Sequence, residues 1–167
     1  MLALGSNVRH ARHGAPRLLL RAALTALESE PGVRVEAVSP IVASAPLGPS
    51  RRRYANAAAV VASALTPPAL LARLQALEQR FGRRRRGRAW SARTLDLDIV
   101  LWSQGPWSSP GLTVPHPRFR ERRFVLDPAR AIARTWRDPL GGLTIAQLAA
   151  RLTRPRPLPN PACGAGP

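Results

Sequence analysis

The segment Thr94–Trp102 constrains the fold most strongly, because apolar residues alternate in it with two aspartates. Successive side chains of a β-strand point to opposite faces, so the aspartates Asp96 and Asp98 are predicted to share one face and the apolar residues the other. The residues predicted to face a core are Leu95, Leu97, Ile99 and Leu101. The segment therefore predicts a strand with one buried face and one acidic face.

The remaining hydrophobic pattern predicts further helices and strands around this strand. Apolar residues at helical spacing predict helices over 16–30, 66–81, 129–136 and 144–152. Alternating or short apolar stretches predict strands over 33–37, 41–43 and 54–65, and the Gly/Pro/Ser-rich stretch 103–111 predicts a loop. This order indicates one α+β domain over residues 1–153, with a sheet covered by helices. Residues 154–167 are rich in proline and glycine, so we expect a disordered tail.

Composition excludes several classes of protein. The single cysteine, Cys163, excludes an intrachain disulfide framework and a Cys-rich zinc site. No apolar run is long enough to cross a membrane, and the N-terminus does not resemble a signal peptide, so a cytoplasmic protein is expected. The 26 basic residues are all arginine and give a net charge of +17, which attracts polyanions. A general bias toward arginine explains the same excess, so charge alone does not indicate nucleic-acid binding.

The two aspartates of the strand are candidate metal ligands. Their Cα atoms are expected about 7 Å apart, so the carboxylates repel each other unless a positive group lies between them. Mg²⁺ shared with phosphate oxygens suits this arrangement. The alternative is an ordinary polar strand face whose carboxylates pair with arginines.

The segment Gly82–Arg93 before this strand contains six arginines and Trp90. Arginine binds phosphate oxygens bidentately, so carboxylates beside a cationic loop suit phosphoryl transfer, although a solvated charge run is the usual alternative. Other weak signals are Gln75 and Glu78 on one helix face, Tyr54 and Asn56 on one strand face, and His116 in a proline-bounded turn. Alone, the first pair would be solvated and His116 would be structural.

Five motifs in fixed order resemble those of the 6-hydroxymethyl-7,8-dihydropterin pyrophosphokinase family. They lie in Ala3–Asn7, Tyr54–Ala57, Leu77–Arg85, Trp90–Asp98 and Leu112–Leu126, and the resemblance covers about Leu2–Leu152. The R-T-L-D-L-D and P-H-P-R…E-R-x-F-V-L elements are the specific ones. The resemblance implies a ferredoxin-like α+β fold with a mostly antiparallel sheet covered by helices. It also implies transfer of diphosphate from ATP to the hydroxymethyl-dihydropterin, with two Mg²⁺ ions and with AMP as product, in folate biosynthesis.

The resemblance also implies roles for individual residues. Asp96 and Asp98 would hold the metal ions. Arg83 and Arg93 would contact the triphosphate during transfer, with Arg85 and Trp90 on a closing loop. His116 and Arg122 would bind ATP, and Gln75 and Glu78 would lie beneath the nucleotide. The pterin pocket would consist of Ser44, Leu47, Tyr54, Asn56, Trp90 and Phe124. The partners implied are small molecules, with no nucleic acid and no membrane, and the chain is expected to be a monomer.

Some positions depart from the family pattern. Ser91-Ala92 replaces the usual Gly-Pro, and Ser44 and Ala45 replace the common Thr and Pro. Only four residues precede Gly5, fewer than usual, which leaves the natural start open. Two other functions are weighed against the resemblance. A basic ferredoxin-like RNA-binding module would need aromatic residues on neighbouring strands, and the chain has only eight aromatics. A different Mg²⁺-dependent D-x-D phosphotransferase would release ADP instead of AMP.

Overall fold

The computed structural model describes residues 1–45, 52–83 and 94–153. The predicted tail, 154–167, lies outside these residues. The strands are β1 (Leu2–Ser6), β2 (Val33–Val38), β3 (Val42–Ser44), β4 (Tyr54–Ser63), β5 (Asp96–Ile99), β6 (Trp107–Ser109) and β7 (Leu112–Val114). The α-helices are α1 (Pro16–Glu28), α2 (Pro67–Arg80), α3 (Arg123–Ala133) and α4 (Ile145–Thr153), and a 3₁₀ turn spans Phe119–Glu121.

Five strands form one antiparallel sheet with the order β2-β4-β1-β5, and β3 also pairs with β4. Without β3, the elements through β5 follow one another as β-α-β-β-α-β, which is the succession that a ferredoxin-like fold requires. The predicted α+β class with a mostly antiparallel sheet is thereby confirmed, while the ferredoxin-like assignment stays a prediction.

Helices cover the sheet on both sides and create two cores. Leucines of α1 and α2 pack with Leu2, Leu4, Ala57 and Ala59 on one face. Residues of α3 and α4 pack with Ala58 and Val60 on the other face. β4 carries small side chains because it is buried on both faces, and alanine lets the helices approach the sheet closely.

The helix α2 shows how local sequence defines an element that later carries site residues. Pro67 and Pro68 occupy its first turn, where proline loses no helical hydrogen bond. Leu70, Leu74 and Leu77 recur at helical spacing and are fully buried, each contributing about 2 kcal/mol by transfer from water. Gly82 follows with a φ of +77°, a conformation that ends the helix and that other residues adopt only with strain.

Three predictions of secondary structure were wrong. The stretch 103–111 is not only a loop, because Trp107–Ser109 pairs with Leu112–Val114 in a hairpin. The third helix begins at Arg123, six residues before the predicted position 129, so it includes Phe124. β5 ends at Ile99, and Leu101 therefore packs in the second core with α3 and not with Leu95, Leu97 and Ile99. For the third helix and for Leu101, packing against residues distant in sequence overrides the local pattern, whereas the hairpin joins neighbouring segments whose strands of three residues are too short to show a period.

Candidate functional site

A cavity of about 550 Å³ lies on the sheet face that α3 and α4 cover. We call it the sheet cavity. Strands β1, β3, β4 and β5 form its floor, and the segment that enters α3 forms a wall. Its lining residues are Ala3, Leu4, Gly5, Ser44, Ala45, Tyr54, Asn56, Asp96, Asp98, Arg118, Glu121, Arg122, Phe124 and Val125.

The register of three strands places the acidic residues in the cavity floor. Gly5 of β1 pairs with Asn56 on one side and with Asp96 on the other. Two residues earlier, Ala3 pairs with Asp98. Residues paired across antiparallel strands share a face, so both aspartates and Asn56 face the cavity. The predicted common face of the two aspartates is confirmed, and β1 contributes only small residues between them and Asn56.

Asp98 has an electrostatic environment that favours a bound cation. Burial raises the pKa of Asp98 most, and the neighbouring Asp96 carboxylate raises it further. The positive charges of His116, Arg122 and Arg83 lower it in part. Burial and mutual repulsion disfavour the charged form of two neighbouring carboxyl groups, and a divalent cation stabilises that form by neutralising it. The pair therefore fits Mg²⁺, which commonly uses one or two carboxylates together with substrate phosphates. Among residues 1–45, 52–83 and 94–153, no larger cluster of metal-binding side chains occurs.

His116 and Arg122 lie close enough to Asp98 to influence its charge. Burial lowers the pKa of His116, and the Asp98 carboxylate partly offsets this. The backbone N–H of His116 donates to the Val100 carbonyl at 3.0 Å, which attaches the histidine to the end of β5. Its Nδ1 accepts a hydrogen bond from the Arg118 backbone at 3.2 Å, so a neutral ring carries its proton on Nε2.

Glu78 and Arg83 join α2 to the acidic strand. Glu78 is only 2% exposed, and its Oε1 accepts a hydrogen bond from the Leu97 backbone N–H at 2.7 Å. Arg83 pairs with Glu78 and also donates to Asp96 Oδ1 at 2.5 Å. Burial is the main reason that the pKa of Glu78 is raised. Helical spacing alone suggested a solvated Glu78, and this was wrong because the sheet packs over that side of α2. Gln75, one turn earlier, is half-buried and is absent from the cavity lining given above.

An aromatic and amide-bearing group lies beside the acidic residues. Tyr54, Asn56, Ser44 and Phe124 all line the sheet cavity. Asn56 is buried, and its Nδ2 donates to Ser44 Oγ at 2.8 Å, which fixes the amide plane. Phe124 lies in the first turn of α3, and the guanidinium carbon of Arg122 lies 5.7 Å from its ring centre. Four of the six residues expected for a pterin pocket are thus brought together.

Four of the expected site residues, Leu47, Arg85, Trp90 and Arg93, lie outside the described residues. Conversely, the structure adds Arg118 and Glu121 to the cavity lining, and neither was assigned a role from the sequence. Both belong to the P-H-P-R…E-R element that carries the resemblance. The motif shows no periodicity that predicts the 3₁₀ turn, so the sequence did not indicate that these two side chains line the cavity.

Comparison with known proteins places the chain in a family. Residues 1–134 match the family model described as 7,8-dihydro-6-hydroxymethylpterin-pyrophosphokinase. The chain belongs to this family. The resemblance found in the sequence is thereby confirmed.

Curated relatives agree with the family match. Each of the following is named a 2-amino-4-hydroxy-6-hydroxymethyldihydropteridine pyrophosphokinase. A Synechocystis protein is 40% identical over 77% of this chain and 66% of its own length. A Pseudomonas aeruginosa protein is 43% identical over 84% of this chain and 83% of its own. A Bacillus subtilis protein is 38% identical over 78% of this chain and 75% of its own.

Proposed function

We propose that the sheet cavity transfers the terminal diphosphate of ATP to the hydroxymethyl oxygen of 6-hydroxymethyl-7,8-dihydropterin. Family membership makes the chain an ATP-dependent pyrophosphokinase of folate biosynthesis. The observation that supports the assignment of the site is its composition. One cavity combines an aromatic and amide-bearing end with three carboxylates, two of them the aspartates of β5, and two arginines. These are the groups that a flat heterocycle and a polyphosphate need in one place.

The heterocycle would occupy the end formed by Tyr54, Asn56 and Phe124. Aromatic rings provide flat apolar contact on either side of a planar ligand. The Asn56 amide is already oriented by Ser44, so its Oδ1 accepts a hydrogen bond from a ring N–H at little further entropic cost. Leu47 and Trp90 would complete this end of the cavity.

The phosphates would lie beside the aspartates and the arginines. Asp96 and Asp98 would hold Mg²⁺, two ions in this proposal, and the metal supplies charge neutralisation on the phosphate oxygens. Arg122 and Arg118 would bind phosphate oxygens, with His116 near the same carboxylates. Gln75 and Glu78 would support the nucleotide from α2. Arg83, Arg85 and Arg93 would act on the charge that develops during transfer.

In this reaction the hydroxymethyl oxygen attacks the β-phosphorus of ATP and loses its proton. The bond from that phosphorus to the oxygen shared with the α-phosphate breaks, and AMP leaves with this oxygen. The residues of the cavity act by holding the two substrates in line and by excluding water from the acceptor position. Gly5 lies between the two ends of the site, and a larger side chain there would project into the space where they meet.

The remaining expectations belong to this proposal. The chain would act as a monomer on small molecules in the cytoplasm, without binding nucleic acid. No helix in the described part of the chain is long and apolar enough to cross a membrane.

The test is incubation with ATP, Mg²⁺ and the reduced hydroxymethyl pterin, followed by separation of the nucleotides. We expect AMP in amounts equal to the pterin diphosphate formed. Asp98→Asn should remove this product, while Arg34→Gln, on an exposed edge of β2, serves as a matched surface control. ADP as product would indicate a different phosphotransferase, and no pterin-dependent product would reject the proposal.

A further inference from the structure

We propose that Asp138 and Arg120, outside the sheet cavity, are positioning residues that hold the 3₁₀ turn and thereby direct Arg118, Glu121 and Arg122 into the cavity. This inference rests on the proposed function for the roles of the last three residues. Asp138 lies beyond residues 1–134, which match the family model.

The contact between the two residues is specific and largely buried. Asp138 is 1% exposed. Arg120 Nε donates to Asp138 Oδ2 at 2.6 Å, and Arg120 Nη2 donates to Oδ1 at 2.6 Å. This is the bidentate geometry in which an arginine has least freedom to rotate. The hydrogen bonds from Arg120 hold the pKa of Asp138 below its usual range, so the carboxylate is charged at neutral pH.

The Asp138 side is fixed by its own turn between α3 and α4. The Leu140 backbone N–H donates to Asp138 Oδ1 at 3.1 Å, and the Gly142 N–H donates to the Asp138 carbonyl at 2.8 Å. A Cβ at position 141 would lie only 2.7 Å from Asp138 Oδ2, so glycine lets the turn close around the carboxylate. Asp138 is therefore a rigid anchor, and Arg120 is the partner that it holds.

Arg120 transmits this constraint to the cavity because of its place in the 3₁₀ turn. Its guanidinium carbon lies 4.7 Å from the ring centre of Phe119, which is fully buried in the second core. Phe119 and Arg120 thus attach the turn to the protein interior. The residues on both sides of them, Arg118, Glu121 and Arg122, line the sheet cavity instead.

The 3₁₀ turn is held at its ends by the Phe119 N–H, which donates to the His116 carbonyl at 3.1 Å, and by the Arg122 carbonyl, which accepts from the Val125 N–H at 2.9 Å, and it is held more weakly between them. Its backbone hydrogen bonds from Glu121 to Arg118 and from Arg122 to Phe119 are both 3.3 Å long. Such bonds are at the weak end of the normal range. Without the Arg120–Asp138 contact, we expect the turn to open more often and the two arginines of the cavity to lose their fixed direction.

The test combines hydrogen exchange with steady-state kinetics on three variants. Asp138→Asn keeps the shape and removes the charge, and Arg120→Lys keeps the charge and removes the bidentate geometry. Arg123→Met is the matched control, because Arg123 pairs with Asp127 at 3.2 Å on the exposed side of α3. The exchange rates of the amides of Glu121 and Arg122 are compared with those of β4.

We expect Asp138→Asn to accelerate exchange at Glu121 and Arg122 about tenfold while β4 is unchanged. The KM for ATP should rise about tenfold, with kcat and the KM for the pterin changed less than about twofold. Arg120→Lys should show a smaller effect of the same kind, and Arg123→Met should match the wild type.

Unchanged exchange at Glu121 and Arg122 would overturn the inference. An equal rise of the KM values for ATP and for the pterin, together with faster exchange across the whole sheet, would overturn it as well. If the wild type has no pyrophosphokinase activity, the proposed function fails. The positioning of the turn is still tested by hydrogen exchange: faster exchange confined to Glu121 and Arg122 supports it, and unchanged exchange there rejects it. Should Asp138→Asn not fold, Arg120→Lys decides by the same measurements.

Discussion

Replacing Arg83 with methionine should destabilise the folded protein, because Arg83 neutralises a carboxylate that cannot reach water. Glu78 is 2% exposed and Arg83 is 22% exposed. Removal of one partner from a buried ion pair costs about 3–5 kcal/mol. Since Arg83 and its second partner Asp96 keep contact with solvent, we expect about 2–3 kcal/mol here. For a chain of this size, that lowers Tm by about 5–10 °C.

The double variant Glu78→Gln with Arg83→Met should recover part of this loss. Glutamine keeps an oxygen that can accept the Leu97 N–H, and it leaves no buried charge. We expect the double variant to be about 1–2 kcal/mol more stable than Arg83→Met alone. Arg34→Met is the control, because the Arg34 side chain is 74% exposed and its partner Glu36 is 41% exposed, and a surface ion pair contributes about 0–1 kcal/mol.

The pH dependence of stability provides a second, independent test. The pKa of Glu78 is raised in the folded protein above its ordinary value of 4.5. A raised pKa means that the folded state binds the proton of Glu78 more tightly than the unfolded state does. The contribution of this group to stability is therefore greatest at low pH and is lost as pH rises through the folded pKa. Because the Arg83 charge lowers this pKa, Arg83→Met should raise it further, and the loss of stability in the variant should shrink as pH falls from 7 toward 4.5. Thermal unfolding followed by circular dichroism measures each value.

Two results would refute this reasoning. One is an Arg83→Met variant with the Tm of the wild type, and the other is a double variant no more stable than Arg83→Met.

A further consequence of the same substitution concerns kinetics. Arg83→Met should lower kcat more than it raises the KM for ATP, and this comparison is meaningful only at a temperature where the variant is fully folded.

The other predictions concern the two ends of the cavity and its anchor. Asp96→Asn and Asp98→Asn should each reduce turnover to background, with Tm within about 3 °C of the wild type, because asparagine keeps the shape of the side chain and an oxygen that can accept a hydrogen bond, as Asp96 does from Arg83; normal turnover would contradict the metal assignment. Ser44→Ala removes the acceptor that orients Asn56 and should raise the KM for the pterin about threefold to tenfold without affecting that for ATP; equal effects on both substrates would count against the pterin end. Asp138→Asn should be less stable than the wild type in urea at pH 7, and the difference should shrink as pH falls below 3.8, since the pKa of Asp138 is lowered in the folded state. A difference independent of pH would show that the Asp138 charge is not involved.

Much of this site was predictable because its residues carry a local pattern. The alternation around Asp96 and Asp98 predicts a strand and a shared acidic face, since the period of a strand is two residues. Tyr54 and Asn56 share a face for the same reason. The motif order then indicates the family, and the family match over residues 1–134 confirms it.

Other features depend on contacts or packing that a local sequence pattern does not show. Glu78 looks like an exposed helix residue until the sheet packs over α2 and buries it. The hairpin of Trp107–Ser109 with Leu112–Val114 has strands of three residues each, too short to show a period. The third helix begins early because Val125 and Leu126 are buried against the sheet, whereas a run of three apolar residues is equally compatible with a strand.

The sequence by itself determined which residue types are available and in what order: two aspartates on one strand face, arginines before it, and a histidine and arginines after it. Only the tertiary structure decided how they meet. Antiparallel register places Gly5 between Asn56 and Asp96, and packing of the α3–α4 turn places Asp138 on Arg120. Local periodicity follows from backbone geometry and burial within a few residues. The direction of a side chain in a cavity follows from strand register and packing between distant segments, which the sequence specifies only through the whole fold.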